Sequence, residues 1–170
     1  MKFKQLVNER RSVRAYVDEI VNEEDIRNIV DCLLQAPSWK NSQTGRYYVA
    51  LSDEAKKEVF DSLPEYNQNS SRNASYIICA YKTGESGANS SEGDLWGSYD
   101  LGLQNAYLVL KACELNYDTL IMGLRDVERV RKYFEIPKDE CILPIIAIGK
   151  RAKDKNPRKS KEVDEVLKIK

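Results

Sequence analysis

The chain has 170 residues, of which 42% are hydrophobic and 32% are charged, and its 27 Lys and Arg residues balance its 27 Asp and Glu residues. This composition excludes a disordered chain, and the balanced charge argues against a general nucleic-acid or membrane-surface binder. At this length we expect one domain over residues 1–170. No apolar run reaches the ~18 residues of a membrane span, and the N-terminus lacks the apolar stretch of a secretory signal, so we expect a cytoplasmic protein.

The first half of the chain is predicted to alternate short helices with strands. Apolar spacing and capping residues predict a short helix that ends near Arg10, a second helix capped by Asn22 and a third helix capped by Ser52. Apolar runs rich in β-formers predict strands over residues 47–51 and 76–81.

The second half of the chain continues the mixture of helices, strands and polar stretches. Its predicted elements are a polar loop at 70–75, a mobile Gly/Ser/Asn-rich stretch at 83–97, a helix at 101–115, a strand at 119–123, a helix capped by Asp126, a strand at 141–149 and a charged arm at 151–170. Because helices and strands do not alternate strictly, the pattern favours an α+β fold over a parallel α/β fold.

The predicted helix at 101–115 is apolar around its whole circumference rather than along one stripe. A helix of that kind is buried on every side. In a chain of this length such burial fits two arrangements. Either a second subunit covers one face of the helix, or the helix is the centre of a monomer.

The sequence contains no histidine, which excludes Ser-His-Asp and Cys-His catalysis and most catalytic zinc sites. The cysteines are far apart, form no C-x-x-C pair and lie in apolar stretches: Cys32, Cys79, Cys113 and Cys141. We expect reduced core residues, with a metal or disulfide role as the alternative. The sequence also lacks the glycine-rich motifs of the dinucleotide-binding fold and of the P-loop.

Three arginines lie close together in the segment Arg10-Arg11-Ser12-Val13-Arg14. Guanidinium groups repel one another unless an anion or carboxylates share them, and they bind phosphate bidentately. The segment is therefore a candidate phosphate site. The alternative is a solvated basic turn that pairs with Glu9, Asp18 or Glu19.

The segment Ala36-Pro37-Ser38-Trp39-Lys40-Asn41-Ser42-Gln43 places amide, hydroxyl, cationic and indole groups in one turn. Such groups suit the hydrogen-bonding edge of a planar heterocycle, with Trp39 available for stacking. The alternative is an ordinary helix-to-strand loop with a surface tryptophan. A third polar cluster, Asn156-Pro157-Arg158-Lys159, lies in the tail, where charge runs are usually solvated.

Taken in order, these clusters resemble motifs of the nitroreductase family of flavin enzymes. The segment from Arg10 to Tyr16 resembles the R-R-S-x-R-x-[FY] signature, and Ala36 to Gln43 resembles the A-P-S-x-x-N-x-Q-P loop. The segment from Asp100 to Leu115 resembles the long core helix of the family, and Pro144 to Gly149 followed by Pro157-Arg158-Lys159 resembles its last strand and basic tail. The resemblance covers nearly the whole chain in the family's order.

The resemblance implies a particular architecture. It implies a central, mostly antiparallel sheet flanked by helices, in an intertwined homodimer whose C-terminal arms, residues 151–170, are exchanged. It also implies one FMN in each of two sites at the subunit interface. The phosphate of that FMN would be held by Arg10, Arg11 and Ser12 and, from the tail, by Arg158 and Lys159.

The resemblance also implies contacts to the flavin ring from residues spread along the chain. These are Arg14 at the N1/C2-carbonyl side, Ser38, Trp39 and Asn41 across the interface, Asn67 and Ser70 at the pyrimidine edge, and the backbone of Met122 and Gly123 near N5 and O4.

The activity that the resemblance implies is that of an FMN-dependent oxidoreductase. NADH or NADPH would deliver hydride to flavin N5, and a small acceptor such as a nitroaromatic or a quinone would then collect the electrons. Because the flavin carries this chemistry, no side chain is assigned as a catalytic acid or base, and no metal is expected.

Three departures from the family pattern leave other functions open. Thr44-Gly45 replaces a proline and an aromatic residue after Gln43, and Asn116-Tyr117-Asp118 replaces a glycine-rich turn. Residues 84–97 are short where many relatives carry a helical excursion over the substrate. The alternatives are a non-catalytic FMN-binding protein, a specialised flavin reductase, dehalogenase or dehydrogenase of the same family, and an α+β dimer without a cofactor.

Overall fold

The computed structural model describes residues 2–87 and 94–170 and shows an α+β fold. Its elements in chain order are α1 (Phe3–Glu9), α2 (Glu23–Leu33), a 3-10 turn (Trp39–Asn41), β1 (Gly45–Ala50), α3 (Asp53–Asp61), α4 (Glu65–Ser71), β2 (Ser75–Lys82), α5 (Leu95–Glu114), β3 (Asp118–Met122), α6 (Val127–Tyr133), β4 (Glu140–Gly149) and α7 (Val163–Val166). The predicted fold class is confirmed.

The predicted helix caps are present at atomic level. Asn22 Oδ1 accepts a hydrogen bond from the Glu24 amide at 2.9 Å, and Asp126 Oδ1 accepts one from the Arg129 amide at 3.1 Å. Ser52 caps α3 in the same way. Each cap satisfies a backbone donor that the first helical turn leaves free, which explains why these starts are visible in the sequence.

The prediction of a polar loop at residues 70–75 is wrong at both ends, because Ser75 already begins β2 and Ser70 and Ser71 are helical. Ser70 and Ser71 end α4, a polar helix that begins directly after Pro64. Ser71 lies buried there and donates a hydrogen bond to the Asn67 carbonyl at 2.7 Å. The helix has no apolar stripe, so it lacks the periodicity from which helices are recognised.

The four strands form one antiparallel sheet in the order β1-β2-β4-β3. In the central pair, Ile77 lies opposite Ile146 and Ile78 lies opposite Ile145, and all four side chains are buried. Since neighbouring residues of a strand face opposite sides, Ile78 and Ile145 pack towards α3 and α6, whereas Ile77 and Ile146 pack towards α2 and α5. The sheet therefore separates two apolar layers.

Helix α5 begins at Leu95, earlier than the predicted Leu101, and it is not enclosed within one chain. Its inner side, including Leu101 and Leu108, is fully buried. Its outer side, here called the outer α5 face, is exposed or half-buried and comprises Tyr99, Gly102, Leu103, Ala106, Tyr107 and Leu110. The alternative of a helix enclosed at the centre of a monomer is therefore wrong, and this face is available to a second subunit.

The predicted mobile stretch at 83–97 lies in part outside the described residues. Gly84 and Gly87 both adopt positive φ before the described chain is interrupted. From Leu95 onwards the stretch is helical rather than loop. Helix formation there extends α5 by one and a half turns towards the segment that contains Trp39, which Asp100 contacts.

The first residues of the C-terminal arm return to the N-terminal segment of the same chain. The Val17 amide donates to the Lys150 carbonyl at 3.0 Å, and the Ala152 amide donates to the Ala15 carbonyl at 2.9 Å. Residues 156–170 are exposed throughout. Within the described ranges, no helix is both long enough and apolar enough to cross a bilayer.

Candidate functional site

A cleft of about 530 Å³ runs along α5 and contains arginines from both ends of the chain. Its lining includes Arg10, Leu101, Asn105, Val109, Leu143 and Arg158. A larger groove, of about 620 Å³, lies between α2, β1 and α3, but its cation, Arg27, is already paired with Glu23 at 2.7 Å. We therefore take the cleft along α5, and not the larger groove, as the candidate site.

The electrostatics of the cleft favour an anion. Burial, followed by the charges of Arg158 and Arg11, lowers the pKa of Arg10 from its ordinary value. A guanidinium keeps its proton at neutral pH, so Arg10 remains a partly buried cation, and the charges of Arg158 and Arg11 repel it. Arg11 also donates to the Arg10 carbonyl at 2.8 Å. A phosphate between Arg10 and Arg158 would relieve that repulsion.

The side chains of Ser12 and Arg14 lie outside this cleft. They line a smaller one, of about 170 Å³, together with Lys153 and Lys155 of the tail. The backbone of this segment is held by β3, because the Val13 amide donates to the Thr119 carbonyl at 3.0 Å. The structure therefore brings Arg10 and Arg158 together and places Ser12 and Arg14 beside the tail instead. Lys159 is exposed.

The structure joins Asn67 to the segment that follows Met122 and Gly123. Asn67 Nδ2 donates to the Leu124 carbonyl at 3.1 Å, so an assigned residue of α4 supports the end of β3. Met122 is buried, Gly123 is exposed, and Ser70 is buried one turn further along α4. These assigned residues thus form one neighbourhood.

Arg125 is part of that neighbourhood and was not identified from the sequence. Its two terminal nitrogens donate to the Gly123 and Ile142 carbonyls, which pins the turn after β3 against β4. Its Nε is buried and has no hydrogen-bond partner among the described residues. An isolated arginine gives no sequence signal of such a role, because the carbonyls that it binds belong to other segments.

The loop that carries Ser38, Trp39 and Asn41 is strained. Lys40, Asn41 and Gln43 have φ values of 49°, 55° and 48°, in a region that favours glycine. Ser38 Oγ accepts a hydrogen bond from the Gln43 amide at 3.1 Å, which closes the turn. Backbone strain of this kind persists only where the surroundings hold it, and it is frequent at ligand sites.

Asp100 anchors the strained loop to α5. Its Oδ2 accepts hydrogen bonds from the Trp39 amide at 3.0 Å and from the Ser86 hydroxyl at 2.7 Å, and the residue is 3% exposed. In the sequence, Asp100 is distinguished only as part of the core-helix motif. Its role as an anchor depends on residues far away in the chain, which no local pattern reveals.

The loop of Ser38, Trp39 and Asn41 and the arginines of the cleft are associated with opposite ends of α5. The loop of Trp39 is tied to Asp100, whereas Glu9, the residue before Arg10, lines a small pocket together with Cys113. At 1.5 Å per residue these two helix positions are ~20 Å apart along the axis. Ser38, Trp39 and Asn41 are not among the residues of this chain that line the cleft with the arginines.

Gly45 permits a close approach between β1 and α5. A Cβ at this position would lie 1.9 Å from Gln104 Oε1, which already accepts a hydrogen bond from the Tyr47 hydroxyl at 3.1 Å. We expect Gly45→Ala to lower the free energy of unfolding by ~1–3 kcal/mol, because Gln104 is 1% exposed and has little room to move. Urea unfolding measures the change.

Combining Gly45→Ala with Gln104→Ala isolates the cause of that destabilisation. If the clash with Gln104 is responsible, Gly45→Ala costs less in the Gln104→Ala background than in the wild type. Equal costs in the two backgrounds would contradict the assignment.

The residues of the α5 cleft fit FMN in three respects. Arg10 and Arg158 supply charge for a phosphate, and Ile121 and Leu143 supply accessible apolar surface for a planar ring. Asn105 Oδ1 is buried in the cleft lining and has no hydrogen-bond partner among the described residues, so it can accept from a ligand. The cleft volume falls within the range of ~300–1,000 Å³ typical of small-molecule sites.

Comparison with known families and curated proteins gives a consistent result. The model described as Nitroreductase family matches residues 7–150. Protein DrgA of Synechocystis is 25% identical over 177 residues, an alignment that covers 87% of this chain and 83% of that protein. A candidate NADH dehydrogenase/NAD(P)H nitroreductase of Archaeoglobus fulgidus is 22% identical over 148 residues, covering 85% of this chain and 82% of that protein.

Solved structures share the fold over almost the whole chain. A candidate nitroreductase of Exiguobacterium sibiricum, solved in complex with FMN, superposes with a TM-score of 0.89 at 20% identity and covers 100% of this chain and 98% of that one. A nitroreductase family protein of Streptococcus pneumoniae gives a TM-score of 0.86 at 21% identity, with 99% and 100% covered. At these identities the likeness concerns the fold.

Proposed function

The chain belongs to the nitroreductase family, and from that premise we propose that it is an FMN-dependent oxidoreductase that takes electrons from NADH or NADPH and passes them to a small-molecule acceptor such as a nitroaromatic or a quinone. The observation that carries the proposal is the convergence of Arg10 and Arg158, from opposite ends of the chain, on one cleft. The burial of Arg10 and its repulsion by Arg158 favour an anionic ligand in that cleft.

In this proposal the chain binds and orients FMN and does not move protons itself. Arg10 and Arg158 hold the phosphate, with Arg11 and Lys159 adding positive charge nearby. Bound FMN supplies the chemistry, which is reversible two-electron transfer as hydride, and this is compatible with a chain that contains no histidine. The apolar wall of the cleft, which includes Leu143, keeps water from the ring.

The proposal also includes the other residues that the family resemblance implies as FMN contacts, and different observations support them. Met122 and Gly123 present a turn that Asn67 and Arg125 brace through neighbouring carbonyls. Ser70 lies buried in α4, one turn after Asn67. Ser12 and Arg14 belong to the extended segment that follows Arg10, and reaching the same ligand requires Arg14 to leave its 3.4 Å contact with the Ser12 carbonyl.

We propose that the site is completed by a second copy of the chain. Gly102, Ala106 and Leu110 of the outer α5 face line the α5 cleft, whereas Leu103 and Tyr107 lie outside it and offer an apolar surface for a partner helix. An antiparallel partner helix would bring its own Ser38, Trp39 and Asn41 towards Arg10 of the first copy. The exposed apolar side chains at the end of the arm support arm exchange in the same dimer: Val163, Val166, Leu167 and Ile169.

Purified protein tests the proposal directly. We expect it to be yellow, to bind one FMN per chain, and to oxidise NADH or NADPH faster when menadione or a nitrofuran is present. Bound FMN without turnover would favour the non-catalytic FMN-binding alternative. Thr44 stands where the family has a proline, and its buried hydroxyl has no hydrogen-bond partner among the described residues. A colourless protein that does not bind added FMN would overturn the proposal.

A further inference from the structure

A cluster of ionic groups includes Glu9 and Lys155, which precede the two arginines of the α5 cleft by one and three residues. Lys155 Nζ is 2.8 Å from Glu9 Oε1 and 2.9 Å from Asp118 Oδ1, and it donates to the Glu9 carbonyl at 3.1 Å. Arg151 Nη1 lies 3.3 Å from the other carboxylate oxygen of Asp118. We call these four residues the tail clasp, because they join the end of α1, the start of β3 and the C-terminal tail.

The tail clasp is more than a pair of surface charges. The side chains of Lys155 and Asp118 are 13% and 5% exposed. Exposed ion pairs contribute little, whereas a buried charge that loses its partner is strongly destabilising. Beyond Lys155 the whole tail is exposed, so within the described ranges Lys155 is its last anchored residue.

The anchor restricts both arginines of the cleft. Arg10 follows Glu9 directly, and Arg158 follows Lys155 by three residues, which span at most ~11 Å. Pro157 stiffens this link, since its ring fixes φ and restricts the residue before it. Arg10 and Arg158 repel each other, so without the anchor the exposed tail is free to carry Arg158 away.

We propose that Lys155 is a positioning residue that, through Glu9 and Asp118, holds Arg158 beside Arg10 and so preforms the phosphate site. The inference rests on the proposed function, which supplies the phosphate of FMN. Lys155 does not bind the phosphate itself, because an ammonium group has three donors and all three are directed at Glu9 and Asp118.

Comparing FMN with riboflavin, which lacks the phosphate, separates positioning from general destabilisation. We expect Lys155→Met to weaken FMN binding about fivefold, as for network couplings of this size. Riboflavin binding should not change. Lys155→Arg keeps the charge and should restore most of the affinity, and Lys161→Met removes an exposed charge from the same tail as the matched control. Flavin fluorescence titration gives all of these affinities.

A double-mutant cycle tests whether Lys155 acts through Arg158. Arg158→Ala should cost less FMN affinity in the Lys155→Met background than in the wild type. Equal costs, or equal losses for FMN and riboflavin, would overturn the inference. If Lys155→Met does not fold, Glu9→Gln at the half-exposed end of the clasp should give a smaller loss specific to FMN, and no loss there would also overturn it.

The same titration distinguishes this inference from its premise. A wild-type protein that binds FMN no better than riboflavin would reject the phosphate site of the proposed function, and the inference with it. A wild-type preference for FMN that Lys155→Met leaves unchanged would reject the inference alone.

Discussion

Leu103→Arg is expected to convert the protein to a monomer and to weaken FMN binding by at least about a hundredfold. Leu103 lies half-buried in the middle of the outer α5 face but does not line the α5 cleft. An arginine there would bury an unpaired charge in the proposed interface, which costs several kcal/mol. Because Trp39 and Arg10 lie near opposite ends of α5, a separated chain keeps only half of the proposed flavin contacts.

Two measurements follow this substitution. Light scattering after gel filtration gives the oligomeric state, and the ratio of flavin to protein absorbance gives FMN retention. Glu128→Arg, at an exposed position of α6, serves as the control and should remain dimeric with full flavin. A Leu103→Arg protein that is monomeric yet retains FMN would contradict a site shared between two chains. A variant that stays dimeric would show that the outer α5 face is not the interface.

Arg10→Ala is expected to weaken FMN binding about tenfold or more. A charge-assisted hydrogen bond to phosphate contributes roughly 1.5–3 kcal/mol, and tenfold corresponds to ~1.4 kcal/mol. Riboflavin binding should fall much less, because riboflavin offers no phosphate to Arg10. Equilibrium dialysis or fluorescence titration of both ligands measures the difference.

The matched control for this prediction is Arg27→Ala. Arg27 is exposed on α2 and pairs only locally with Glu23, so its loss should leave the affinity for FMN unchanged. Unchanged FMN affinity in Arg10→Ala would reject the assignment of the α5 cleft as the phosphate site. Burial and the nearby cations lower the pKa of Arg10. An anion beside Arg10 would favour its charged form, so the loss of Arg10 should weaken the binding of an anionic ligand.

Most helices and strands can be predicted from the sequence because the patterns that indicate them involve only residues close together in the chain. Asn22 and Asp126 cap helices through amides two or three residues away, and the strands around Ile78 and Ile146 consist of short apolar runs. Helix α4 was not predicted, because its buried side chains are polar. Ser71, for example, donates its hydrogen bond to the Asn67 carbonyl of the same helix.

The candidate site is harder to predict from the sequence, because its contacts join residues that are far apart in the chain. The resemblance of the arginine and tail motifs to a known family indicated that Arg10 and Arg158 share a ligand, but no pattern in the sequence places them in one cleft. Asp100 shows the same limit, since its partner Trp39 is sixty-one residues away.

Local patterns thus specified the fold class, most helix and strand positions and the arginines that were singled out, since caps and periodicity act over a few residues. Only the tertiary structure determined that Arg10 and Arg158 lie in one cleft, that the outer α5 face is exposed, and that Lys155 pairs with Glu9 and Asp118. The physical reason is that a charge meets its partner where packing brings distant segments together, and packing depends on the whole sheet with its two helical layers.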